Sequence, residues 1–277
     1  MPEFATHLLL QTPTVAVRDV VCAGTHRHLG DEERSGTTEL VFPYRGTYVV
    51  HVGEEEAVAD ASQVLIFNRG ESYRVSHPNP GGDASLTISV DEALLQEIAP
   101  KALLREGDAF AFRLHRLRID ARAQVLVALL RHSLREGIAE PLEGESLALT
   151  LVQRAIGPRT THAAASSVGR QRLVDRAKIV LMRDLARRWT LAGVAAEVGV
   201  SPVYLTQSFQ LVEGMPLYRY QLRLRLARAL DLLSEVEDLT TLGLSLGFSS
   251  HSHFSAAFQQ VYGRSPSEFR QTALRRR

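Results

Sequence analysis

The sequence predicts an α+β chain in two parts. The N-terminal part is a small β-barrel or sandwich followed by helices, and the C-terminal part is all α with two helix-turn-helix units. Three observations predict this. Short β-branched runs separated by turn residues fill roughly the first 90 residues. Helical spacing of apolar residues takes over after Asp91. Toward the C-terminus one plan occurs twice: a short apolar helix, a glycine break, and a second helix with a polar cap. A chain of 277 residues has room for two such domains.

The β part comes first. Thr14 to Val21 is rich in β-branched residues. Leu40-Val41-Phe42 and Thr47 to Val52 flank Arg45-Gly46, which predicts a hairpin. Gly53 to Glu56 turns the chain into Ala57-Val58-Ala59. Gln63 to Phe67 is a short buried-type strand stopped by Asn68-Arg69-Gly70. Ser72 to Val75 follows, then the breaker run Pro78 to Asp83, then a strand from Ser85 to Val90. Ala121 to Leu134 and Glu145 to Ile156 carry apolar residues at helical spacing. The expected domain limits are 1–112 for the β domain and 113–160 for a helical connector or dimerisation segment. A small, polar linker follows at 161–169, with Pro158 shortly before it, and then an all-α domain at 170–277.

In the all-α domain, Arg170 to Arg187 reads as the first helix. Thr190 caps Leu191 to Val198, Gly199 breaks it, and Ser201 caps the next helix with Pro202 in its first turn. A long helix follows from Leu217 to Glu235, 19 residues and about 28 Å at 1.5 Å per residue. The plan then repeats: Thr240 as cap, Leu242 to Leu246, Gly247 as break, Ser249 or Ser250 as cap, and a helix to Tyr262. Ser265 and Pro266 open the last helix. The two units fall at about 190–211 and 239–262, with Gly199 and Gly247 48 positions apart. Glycine at each break supplies the left-handed turn, and Ala195, Leu205, Phe209, Leu246, Phe254 and Phe258 fix the crossing angle.

Such units place their second helix in the major groove of double-stranded DNA. The exposed positions there are Val203, Thr206 and Gln207 in the first unit, and His251, Ser252, Ser255 and Ala256 in the second. These are the candidate base-reading residues. Ser201, Ser250, Arg219, Arg225, Arg264 and Arg270 are candidate phosphate contacts. Charge supports this assignment. Residues 170–277 carry a net +7, while the rest of the chain carries −6. A basic module joined to an acidic one suits a reader of nucleic acid.

The run Gly247-Phe248-Ser249-Ser250-His251-Ser252-His253-Phe254-Ser255, with Gly263-Arg264-Ser265-Pro266 and the helix run Arg223-Leu224-Arg225-Leu226, resembles the AraC/XylS family of bacterial transcription regulators. The resemblance spans Arg170 to Leu274. It implies a seven-helix domain with two helix-turn-helix units that binds promoter DNA, with RNA polymerase as a further partner if the protein activates. Two family features differ. Gln207 stands where the family often has a base-reading arginine, and Ala256 stands where it often has a basic residue. Readout is then expected to lean on Gln207, His251, Ser252 and DNA shape.

The β part is similar, more loosely, to the cupin-like sensor domain of that family, through Val64-Leu65-Ile66-Phe67-Asn68-Arg69-Gly70. This implies a small-molecule effector and a homodimer. Arg27, Tyr73, Arg74 and His77 are the candidate effector-pocket residues. His26-Arg27-His28 followed by Glu32 or Glu33 opens a cupin metal motif, but Tyr73 stands where its second half needs histidine, so no metal or other cofactor is expected. Cys22 is the single cysteine, which excludes an internal disulfide. No nucleophile elbow or phosphate loop is present, so an enzyme is not expected. The N-terminus has no leader pattern and the chain has no long apolar run, which leads to the expectation of a cytoplasmic protein without a membrane partner. The competing readings are an effector-independent DNA binder whose β part is a dimerisation scaffold, and a cupin metalloenzyme fused to a DNA-binding module.

Overall fold

The computed structural model describes residues 4–24, 28–107, 109–157 and 167–273. It divides into two compact units, residues 1–161 with 269–277, and residues 162–268.

Among the described residues the first unit is built on ten strands: β1 (Phe4–Gln11), β2 (Val15–Cys22), β3 (Glu33–Arg34), β4 (Glu39–Arg45), β5 (Tyr48–Val52), β6 (Glu55–Ala59), β7 (Gln63–Phe67), β8 (Ser72–Ser76), β9 (Asp83–Val90) and β10 (Arg116–Arg118). They form a six-stranded sheet in the order β1-β2-β9-β4-β7-β10 and a four-stranded sheet in the order β3-β8-β5-β6. Helix α1 (Glu92–Ile98) follows β9, and α2 (Ala121–Arg135) and α3 (Pro141–Ile156) follow β10.

The expected hairpin at Arg45-Gly46 is not one. β4 pairs with β7 and β9, whereas β5 pairs with β6 and β8, so the chain changes sheets at Gly46. Gly46 has φ +72°, and a Cβ there would lie 2.2 Å from the Gly82 carbonyl oxygen. Only glycine fits this corner. The hairpin turn at Gly53-Glu54 between β5 and β6 forms as the sequence suggests. The segment expected to be helical from residue 113 begins instead with β10, which pairs with β7.

Strand β9 is buried along its whole length. Ala84, Leu86, Ile88 and Val90 face the helices, in one core with Val17 of β2, Leu40 and Phe42 of β4, Leu130 of α2 and Leu151, Val152 and Ala155 of α3. Fully burying a side chain the size of Leu86 or Ile88 stabilises the fold by about 1.5–3 kcal/mol. The alternate residues Asp83, Ser85 and Thr87 line a cavity on the opposite face. Asp120 caps α2 through the Ala123 amide and also receives the Arg154 guanidinium from α3. Burial alone would raise the Asp120 carboxyl. The Arg154 bonds and the cap amides outweigh it and hold the group below the usual range.

The C-terminal helices are α4 (Val168–Arg183), α5 (Leu191–Glu197), α6 (Pro202–Glu213), α7 (Leu217–Leu232), α8 (Leu239–Ser245), α9 (His251–Tyr262) and α10 (Pro266–Ala273). α4 starts inside the expected linker, with Ser167 accepting from the Arg170 amide; residues 161–166 of that linker lie outside the described residues. It stops four residues before the expected Arg187, because Asp184 turns extended and its carboxylate accepts from the Arg187 amide. α7 has 16 residues rather than 19, about 24 Å. Lys178 of α4 and Glu213 of α6 form a buried ion pair at 2.7 Å, with the ammonium 5.1 Å from the centre of the Tyr220 ring.

Candidate nucleic-acid interface and ligand cavity

Each of the two units has a short first helix and a longer second one, and caps fix where the second helix begins. Ser201 accepts from the Tyr204 amide, and Pro202 opens α6. Ser250, not Ser249, caps α9 by accepting from the His253 amide. The Ser249 hydroxyl lies 3.0 Å from Nδ1 of His253 instead. Gly214 and Gly263 end the two helices in the left-handed conformation, φ +68° and +79°. The cap of α8 is Asp238 rather than Thr240. Its carboxylate accepts from the amides of Thr240 and Thr241, so the helix begins two positions before Thr241. Ser265 and Glu268 form a reciprocal capping box on α10.

On α6, Val203, Thr206 and Gln207 are all exposed. The Thr206 hydroxyl donates back to the Pro202 carbonyl at 2.9 Å, so that hydroxyl is engaged within the helix. On α9, His251, Ser252 and Ala256 are exposed and Ser255 is half-buried, its hydroxyl 3.4 Å from Nε2 of His251. Each exposed face extends one turn beyond the residues expected from the sequence. Gln210 lies seven residues after Val203, Gln259 lies seven after Ser252, and both are exposed. Helical periodicity places them on the same two faces.

Of the candidate phosphate contacts, Arg219 and Arg264 are exposed and Arg270 is half-buried. Arg225 is not available for that role. It is buried, and its guanidinium donates to the carbonyls of Leu185 at 2.8 Å, Ala186 at 3.0 Å, Arg187 at 2.8 Å and Gly247 at 3.1 Å. Gln221, one turn earlier on α7, donates to the Arg187 carbonyl at 2.8 Å. Together they clamp the loop ahead of the first helix-turn-helix to the turn of the second. Gly247 itself has φ +84°, and a Cβ there would lie 2.1 Å from the Ala186 carbonyl oxygen. Burial lowers the Arg225 pKa, yet the residue keeps five donors in a planar fork that can serve several carbonyls at once.

The β unit holds a cavity of about 770 Å³, within the range of small-molecule sites. The alternation of each strand sorts its lining. Arg18, Val20 and Cys22 of β2, Glu39 and Val41 of β4, Tyr73 and Val75 of β8, and Asp83, Ser85 and Thr87 of β9 face inward. Tyr73 and His77 were expected in the pocket and line it. Arg74 does not. It sits between Tyr73 and Val75, so the strand's two-residue period turns it outward, where it lies 3.9 Å from Glu32. Arg27 and His26 lie outside the described residues, and His28 lines the cavity. The sequence reading missed Arg18 and Glu39, 3.7 Å apart. Burial raises the Glu39 carboxyl despite the pull of Arg18.

Comparison with known proteins agrees with this architecture. A family model described as a helix-turn-helix domain matches residues 194–272. A relative from Photobacterium leiognathi named "Probable transcriptional regulator LumQ" is 26% identical over 228 residues, covering 79% of this chain and 86% of its own. The transcriptional activator RhaR of Klebsiella pneumoniae is 30% identical over 158 residues, 54% of this chain and 54% of its own, so the chain spans about half of RhaR. A solved transcriptional regulator with an AraC-type DNA-binding domain, from Chromobacterium violaceum, is 30% identical, covering 39% of this chain and 96% of its own, with a TM-score of 0.37. With two capped helix-turn-helix units in its C-terminal part, the chain is a DNA-binding transcription regulator similar to the AraC/XylS family.

Proposed function

We propose that a small molecule bound in the β-unit cavity sets how this regulator engages promoter DNA. The observation that carries the reading is the cavity itself: about 770 Å³, mixed polar and apolar, with its lining drawn from both sheets. A packed scaffold has no use for such a volume. Residues 1–112 act as the sensor, 113–160 as the connector through which a homodimer forms, 161–169 as the linker and 170–277 as the DNA reader, in a cytoplasmic protein. Gln207, His251 and Ser252 read base edges, and Val203 and the Thr206 methyl group offer apolar contact to thymine. Ser255 and Ala256 complete the second face. Ser201, Ser250, Arg219, Arg264 and Arg270 hold phosphates. RNA polymerase is the further partner where the bound protein activates.

The test uses the full chain and DNA fragments that it selects from genomic DNA. Small molecules are screened for a rise in melting temperature, and hits are scored for a change in DNA affinity. Thr87→Phe fills the cavity from strand β9. It is expected to abolish both responses to the ligand while leaving ligand-free DNA binding in place. A hit that shifts DNA affinity equally in wild type and Thr87→Phe overturns the cavity as the effector site.

A further inference from the structure

We infer that Cys22, His77 and Asp83 form a binding site for a divalent transition-metal ion of the zinc class at one end of the cavity. Such a site would exist whether or not the cavity takes an effector. The Cys22 sulfur, a ring nitrogen of His77 and a carboxylate oxygen of Asp83 all lie within 4.8 Å of one another. Ligands around tetrahedral zinc stand about 3–4 Å apart, given bonds of about 2.0–2.3 Å, so small side-chain shifts complete the site. Thiolate, carboxylate and neutral imidazole together supply two negative charges, which balance a dication. The thiolate selects zinc, cobalt or copper over magnesium and calcium.

Three features of the fold bring these residues together. Cys22 and Asp83 are directly paired across β2 and β9, so their side chains leave the sheet on one face. His77 follows β8, and the run Pro78 to Gly82 returns the chain so that Nε2 of His77 sits 2.9 Å from Oδ2 of Asp83. Gly24 and Gly82, with φ +61° and +70°, let the two backbones close on each other. A Cβ on Gly82 would lie 2.4 Å from the Cys22 carbonyl oxygen, and one on Gly24 would lie 2.9 Å from the Gly82 Cα.

The surroundings fit a metal rather than a plain ion pair. The Gly24 amide donates to the Cys22 sulfur at 3.4 Å, the kind of outer bond that steadies a thiolate ligand. Oδ2 of Asp83 is buried and accepts no well-directed hydrogen bond. Both His77 and Asp83 are about nine-tenths buried, and a dication bound there would balance the buried Asp83 carboxylate. All three residues line the cavity, which leaves a fourth coordination position open toward it. Sequence spacing could not show this. Positions 22, 77 and 83 match no metal motif, and only the β2–β9 register brings the first to the last.

The experiment titrates cobalt(II) into the full chain, reduced and stripped with chelator. Cys22 is the single cysteine, so a thiolate-to-cobalt charge-transfer band reports on it alone. One cobalt per chain is expected, with that band and four-coordinate visible bands, displaced by zinc but not by magnesium. Cys22→Ser is expected to remove the band. His77→Gln and Asp83→Asn are each expected to weaken affinity at least tenfold. X-ray absorption on the zinc-loaded wild type is expected to show sulfur and imidazole in one shell, a reading that needs no variant to fold. Cobalt bound without a thiolate band, a zinc shell without sulfur, or full affinity in both His77→Gln and Asp83→Asn overturns the site.

Discussion

Glu39 lies 3.7 Å from an arginine inside the β unit, and its carboxyl is nevertheless raised, so burial costs the charge more than Arg18 returns. A carboxyl raised on folding favours the folded state below its unfolded pKa. That contribution is lost as pH rises through the folded value. Glu39→Gln is therefore expected to melt higher than wild type at neutral pH, and the gap should close on acidification to about pH 4. A gap that widens toward acid would contradict the sign. On the DNA face, Gln207→Ala and His251→Ala are each expected to cost about 1–3 kcal/mol at selected sites and much less on random DNA. Competition binding checks this, and equal loss on both DNAs removes the base-reading role. The cap at Ser201 was legible from a hydroxyl ahead of Pro202, whereas Ser249 and Ser250 stood as alternatives until the structure chose Ser250, and Asp238 took the place expected of Thr240. Arg225 was not. Its partners sit 22 to 40 positions away, and nothing in its neighbours tells a buried arginine from a surface one.

Helix α7 does more than separate two readers. Through Gln221 and Arg225 it holds the loop before α5 and the turn before α9 on one set of hydrogen bonds. Arg225→Ala removes the charged donor from four loop carbonyls at once and is expected to cost about 3 kcal/mol or more in urea unfolding. Arg225→Lys should recover only part, since an ammonium cannot reach four carbonyls in a planar fork. Gly247→Ala sets a Cβ against the Ala186 carbonyl and should weaken DNA binding before it unfolds the chain. Most helices were legible from apolar spacing. Strand pairing was less so, since β4 and β5 are adjacent in sequence around a glycine yet belong to different sheets. A glycine signals a turn but not whether the chain returns to its neighbour or crosses over. The cavity lining was half legible for the same reason: Tyr73 and His77 were found, while Arg18, Glu39 and Asp83 depend on which face of the sheet each strand turns inward.

For the molecule as a whole, the opposed charges of the two parts predict how it finds its target. Phosphate contacts release counterions, so affinity for DNA should fall steeply with salt, and Arg219→Ala, Arg264→Ala and Arg270→Ala should each flatten the log–log slope by about 1. A slope unchanged in all three moves the phosphate contacts elsewhere. The Lys178–Glu213 pair makes a separate point about stability. Removing Lys178 alone should cost about 3–5 kcal/mol, while replacing both partners by apolar residues of similar size should be close to neutral. In the β unit, strand β9 has no face to water. Its even-numbered side chains belong to the helix-backed core, and Asp83, Ser85 and Thr87 belong to the cavity, so the two sets answer to different demands. Under the proposed effector role, Ser85 and Thr87 are the positions to exchange for a new chemical signal while Leu86 and Ile88 stay fixed. One strand would thus let the proposed sensor change what it listens to without relearning how to fold.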